Sequence, residues 1–270
     1  MRLTPLLPIL FFSVSIQLHG QPQSSAATTP APQDPQAVTV LTQALTLAGG
    51  TTALTAITDY TGSGNITYHD NPDAQGTVMV EGLGNIAFRI DATLPNGIRS
   101  WAIHDGVATT KHENGTISVA ANNPNVPSSD AFPYQTPLFP GSLAFPYRQL
   151  ATVLGNPSFS IAYNGITQVD GHSVHDIQVQ RVLAGGVDPM SQYHAREFFI
   201  DTTSFQIVMT RDLVPKDVIH QIHYSNYSAV SGVLVPLVIA EDLSGRSTWS
   251  IQLSQMTFNT GMQDSAFVLN

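Results

Sequence analysis

The C-terminal third, roughly Ala195 to Leu269, most narrows what this chain can fold into. Five apolar-rich segments follow one another there: AREFFIDT, SFQIVMTRDLV, VIHQIHYSNY, GVLVPLVIAED and STWSIQLSQMTF. Each is long enough for a strand and too short or too β-branched for a comfortable helix. In the last, Trp249, Ile251 and Leu253 alternate with Ser250, Gln252 and Ser254. A period of two gives a strand one buried face and one wet face.

The rest of the chain extends the pattern. Tyr60, Gly62, Gly64, Ile66 and Tyr68 alternate with polar positions, with glycines where that long strand must bend. TVMVEG follows a polar turn, and Ile86, Phe88, Ile90 and Ala92 alternate next. Asn96-Gly97, Asp105-Gly106 and Asn114-Gly115 then punctuate IRSWAIHD, VATTKH and TISVA. Asn-Gly and Asp-Gly favour hairpins with positive φ at both turn residues, so neighbours are antiparallel. FSIAYNGITQV and HSVHDIQVQRVL flank a further Asp170-Gly171 turn. The count is about ten or eleven strands.

Two stretches read as helices. Asp34 offers an N-cap with Pro35 at the first helical position, and Val38, Leu41, Leu45 and Ala48 share one face before Gly49-Gly50. Leu143, Tyr147, Leu150 and Leu154 have helical spacing within 142–154, with Pro146 near its first turn. A flat sheet of this width would expose an apolar face or curl. Curling around the two helices gives both a shared interior, so the expected class is mainly β: a curled antiparallel sheet or half-barrel with two amphipathic helices in or over its concave face. A two-sheet sandwich is the alternative.

The ends and the composition bound the setting. Arg2 followed by LLPILFFSVSI reads as a secretory signal over residues 1–20, with a retained anchor as the other reading. Residues 21–33 read as a disordered Pro/Ala/Ser/Gln tether. Residues 34–270 form one domain, with a proline-rich insertion at 121–141. The expected location is secreted or periplasmic. The formal net charge of −9 becomes −10 once Arg2 leaves with the leader, nine basic against nineteen acidic residues. No basic cluster exists, which argues against nucleic acid as a partner. The absence of cysteine excludes disulfides, thiolate metal sites and Cys nucleophiles.

Chemistry-bearing patterns are thin. His220 and His223, and His172 and His175, are spaced by three, which on a strand sends them to opposite faces. No metal is therefore expected. Glu241 and Asp242 diverge for the same reason. No GxSxG occurs, and Gly62-Ser63-Gly64 and Gly82-Leu83-Gly84 lack the strand-then-helix context of a phosphate loop. No cofactor is expected. Ile66, Tyr68, Phe88, Ile90, Phe198, Ile200, Ile222, Tyr224, Trp249 and Ile251 all have a phase that can look inward. They are either an ordinary packed core or the lining of a cavity for a hydrophobic ligand.

The order of leader, amphipathic helix, meander, helical insertion and further strands resembles the LolA/LolB-type periplasmic lipoprotein-carrier group. REFFIDTTSFQIVMTRD, GVLVPLVIAED with STWSIQLSQMTFN, and the closing Asn259, Asp264 and Phe267 carry the likeness. It spans most of the chain after Gln36. The resemblance implies a half-barrel under a helical lid, non-enzymatic, holding a lipid, an acyl chain or lipoprotein-type cargo. The alternative it leaves is a packed module that meets a cell-envelope protein partner as sensor or assembly factor.

Overall fold

The computed structural model describes residues 31–70, 72–104, 107–120, 143–182, 195–214 and 218–270. The leader, most of the tether and the proline-rich insertion lie outside the described residues. Two meanders make up a single thirteen-stranded antiparallel sheet. The first runs through β1 (Asp59–Tyr68), β2 (Ala74–Leu83), β3 (Ala87–Leu94), β4 (Gly97–His104), β5 (Val107–Lys111) and β6 (Ile117–Ala120). The second runs through β7 (Phe159–Val169), β8 (His172–Arg181), β9 (Ala195–Asp201), β10 (Ile207–Val214), β11 (Val218–Val230), β12 (Val233–Leu243) and β13 (Arg246–Phe258). The strand order is 6-5-4-3-2-1-13-12-11-10-9-8-7, so β1 against β13 is the seam. The sheet is curled and unclosed, as a half-barrel is. Thirteen strands exceed the expected ten or eleven.

Seam geometry explains the β1 glycines. The register shifts between Ser63 and Gly64 opposite β13. A Cβ on Gly64 would stand 2.0 Å from the Gln252 carbonyl oxygen, so only glycine lets the two backbones approach there.

Turn chemistry follows the sequence at Asp170-Gly171 and departs from it at Asn96-Gly97 and Asn114-Gly115, where only the glycine has positive φ; Asp105-Gly106 lies outside the described residues. Asp170-Gly171, Ser231-Gly232 and Ser244-Gly245 have positive φ at both residues, the geometry of tight hairpins. At Asn96-Gly97 only Gly97 does. There Leu94 pairs with Gly97, which makes Pro95-Asn96 the loop, and the proline ring holds φ negative at its first position.

Three helices lie on the inner side. Asp34 caps α1 (Pro35–Leu47) as the sequence indicates, its Oδ1 accepting from the Gln36 and Ala37 N–H groups at 2.8 and 3.1 Å. The buried face is Ala37, Val40, Leu41, Ala44, Leu45 and Ala48. Val38 is only half-buried, because the stripe follows the a/d/e spacing. The short α2 (Thr51–Thr55) restarts after Gly49-Gly50, and α3 is Pro146–Val153. Before α1, Ala31 N–H donates to the Pro157 carbonyl and Gln33 bridges Ile161 in parallel. These residues run beside the start of β7. No helix among the described residues is long and apolar enough to cross a membrane.

After β13 the chain straps across the outer face of β3 and β4. Arg89 Nη1 donates to the Ala266 carbonyl at 2.5 Å, and His104 faces Asp264 at 2.8 Å. Phe267, in a 3-10 turn over Asp264–Phe267, is 1 % exposed. Asn259 Oδ1 accepts from Thr58 N–H at 2.8 Å, and Asp59 accepts from the N–H groups of Thr260 and Gly261. Those bonds hold the Asp59 carboxyl below its ordinary value, against the opposing effect of burial.

Candidate functional site

All ten inward-phase residues of the sequence meet in one cluster. Ile66, Tyr68, Phe88, Ile90, Phe198, Ile200, Ile222, Tyr224, Trp249 and Ile251 are each 6 % exposed or less. They share it with Leu41 and Leu45 of α1, Leu54 of α2 and Tyr147 and Leu150 of α3. Cross-strand register places Trp249 between Tyr68 and Glu241, and Ile251 between Ile66 and Ile239. In this closed state the ten side chains pack on one another and on the helices. A groove of about 950 Å³ opens on the other face, bounded by β1 to β5 and by Val268–Asn270.

The structure adds a feature that the search for motifs missed. One end of the inner face carries a row of buried charges on four successive strands: Arg196 on β9, Asp212 on β10, His220 on β11 and Glu241 on β12. None exceeds 6 % exposure. Asp212 is paired across the ladders with both Arg196 and His220. Arg196 grips it bidentately, Nε and Nη2 each donating at 2.7 Å, while Nη1 donates to Gln149 Oε1 of α3 at 2.7 Å. His220 Nε2 stands 2.9 Å from Glu241 Oε1, and its Nδ1 stands 3.6 Å from Asp212. That last distance is beyond a hydrogen bond.

Electrostatics keep the row ionised. Burial alone would raise Asp212 and lower His220. Arg196 and His220 outweigh burial at Asp212 and hold its carboxyl below the usual value. The two carboxylates push His220 up to about 9. By formal charge the row pairs two cationic with two anionic side chains. Three of the four adjoin the apolar cluster directly: Arg196 sits two positions from Phe198, His220 two from Ile222, and Glu241 opposite Ile222 and Trp249. The sequence does carry a signal for part of this row, a charged residue in phase with Phe198 on β9, Ile222 on β11 and Ile239 on β12; at Asp212 a register shift in β10 hides it.

The other histidine readings resolve by face. His220 points inward, whereas His223 points outward to Asp170 at 2.7 Å. His172 meets Asp201 at 3.1 Å and His175 meets the Tyr163 hydroxyl at 2.9 Å. Glu241 is buried, and Asp242, past a register shift, takes the Ser247 hydroxyl. Among the described residues no three His, Asp or Glu side chains converge as metal ligands.

Comparison with solved structures gives the architecture a precedent. A domain from Vibrio parahaemolyticus assigned to outer membrane lipoprotein sorting superposes with a TM-score of 0.53 at 9 % identity, over 86 % of this chain and 96 % of that one. The chain shares the fold of that Vibrio domain. A LolA superfamily protein from Nitrosomonas europaea also aligns, with a TM-score of 0.48 at 11 % identity, covering 86 % of this chain and 98 % of that one. No family model matches the sequence, and no curated protein matches it. Within this curled sheet the apolar cluster and the ionic row lie on the same inner face.

Proposed function

We propose that this protein binds a hydrophobic ligand between its curled sheet and its helices, as a non-catalytic carrier or receptor in the secreted or periplasmic space. One observation carries the reading: an apolar inner face to which every strand but β6 contributes, covered among the described residues by three helices. Thirteen strands at about 4.8 Å spacing make an arc of about 60 Å, whereas a helix is only about 10 Å wide. Moving the helices aside uncovers more apolar surface than they themselves bring. Each ligand CH₂ that replaces a helix contact contributes about 0.8 kcal/mol. The lipoprotein-sorting assignment of the similar Vibrio domain supports the same class of cargo. Residues 1–20 would be removed as the leader, residues 21–33 would tether the domain, and residues 121–141 would belong to it as an insertion.

Two measurements test this. Native mass spectrometry of protein purified from envelope-containing cells should show a lipid-sized adduct, and an uncharged dye such as N-phenylnaphthylamine should bind saturably. No adduct together with no saturable binding overturns the reading. A second reading, a protein-interaction module with a permanently packed interior, is favoured by the outer groove with its exposed Met79, Ile98 and Val268. Recovery of one envelope protein, without lipid, at a stoichiometry lost on charge reversal at Lys111 would support it.

A further inference from the structure

Four ionised side chains on the wall of an otherwise apolar interior need an explanation. A buried ion row stabilises less than apolar residues of the same volume, and Arg196, Asp212, His220 and Glu241 occupy inward positions that Phe, Ile or Leu take elsewhere on the same strands. The row also lies at one end of the cluster. Its members sit where β9 and β11 begin and β10 and β12 end, with Phe198, Ile222 and Trp249 next in depth. A ligand lying along that apolar wall would bring one terminus to the charges.

Three features define the terminus that fits. The charges cancel, so a further ion would enter without a counter-charge. The row already accepts an uncharged oxygen, since the amide carbonyl of Gln149 sits 2.7 Å from Arg196 Nη1. A donor also stands without a hydrogen-bonded acceptor: Nδ1 of the His220 ring, buried, with its nearest carboxylate at 3.6 Å. Resting on the ligand-binding reading above, we propose that this row is the headgroup site, selecting amphiphiles with an uncharged hydroxyl, ether or ester head over fatty acids and alkyl cations. Nδ1–H of His220 donates to the head oxygen, and the compensated charges exclude ions.

Displacement of N-phenylnaphthylamine from the full chain tests it, with three competitors of one chain length: dodecylglycerol, laurate and dodecyltrimethylammonium, each below its micellar concentration. At pH 7 dodecylglycerol should displace the dye at about tenfold lower concentration than either ion. Glu241→Gln leaves the row with one positive charge in excess and should bring laurate to the front. His220→Gln leaves one negative charge in excess and should favour the alkyl cation. Should both variants fail to fold, raising the wild-type protein to about pH 10 removes the same charge from His220, which has the cation of Arg196 and the carboxylates of Asp212 and Glu241 around it, and should favour the alkyl cation as well. Equal displacement by all three competitors in the wild type overturns the proposal, as does an order that neither variant nor pH changes. A protein that takes up no dye fails the ligand-binding reading itself, a separate outcome from dye uptake without headgroup preference.

Discussion

Arg196 spends Nε and Nη2 on Asp212 and Nη1 on Gln149. Replacing it with methionine leaves Asp212 as a buried anion short of its main counter-charge. The expected loss is about 3–5 kcal/mol, read as a lower urea midpoint with an unchanged slope. Gln149→Ala should cost less, about 1–3 kcal/mol, because it orphans one donor of a charged group. His220 adds a pH signature. Its folded value of about 9 lies above its ordinary 6.5, so its contribution is complete below 6.5 and disappears as pH rises to 9. That contribution is of order 3 kcal/mol. Asp212 has the opposite sign, its contribution present above 3.8 and lost as acid reaches its lowered value. Stability against urea should therefore peak between these limits and fall through the mildly alkaline range. In His220→Gln the alkaline fall should be absent. The sequence displays these residues openly but hides their partnership. A period of two puts Arg196, His220 and Glu241 in phase with Phe198, Ile222 and Ile239, but Asp212 faces inward only because the register shifts between Ile207 and Met209, and only the order of strands shows that the four touch.

At the scale of elements, the sequence was most informative where turn chemistry and alternation agree. The hairpin at Asp170-Gly171 and the Asp34 cap stand where the residues place them. It was least informative where an element is held by distant contacts. The C-terminal strap has no period of its own, and it is held by Phe267, buried on β3 and β4, and by polar contacts from Arg89, His104 and Asp59. Phe267→Ala should lower stability by about 3 kcal/mol, whereas Val268→Ala, at a half-exposed site, should change it by less than about 0.5 kcal/mol. Differential scanning calorimetry of the two variants separates them. The seam is equally particular. Gly64→Ala forces a side chain against the Gln252 carbonyl, and hydrogen exchange should report opening of β1 from β13 ahead of the flanking hairpins.

For the whole molecule, the topology has a kinetic consequence. Twelve ladders hold the thirteen strands together, and apart from the seam they join strands that are neighbours in sequence. Such pairings close short loops and form early. The seam instead joins Ile66 to Ile251 and Tyr60 to Phe258, across nearly the full length of the domain. The entropy of closing that loop must be met before any seam contact forms. Each meander is thus expected to assemble by itself, with docking of β1 on β13 as the late step. Conservative substitutions at the seam, such as Ile251→Val, should speed unfolding and leave the folding rate nearly unchanged, whereas Ile239→Val within the second meander should slow folding. Since β1 must wait for β13, a ribosome must release the chain through Phe258 before the inner face has both of its walls.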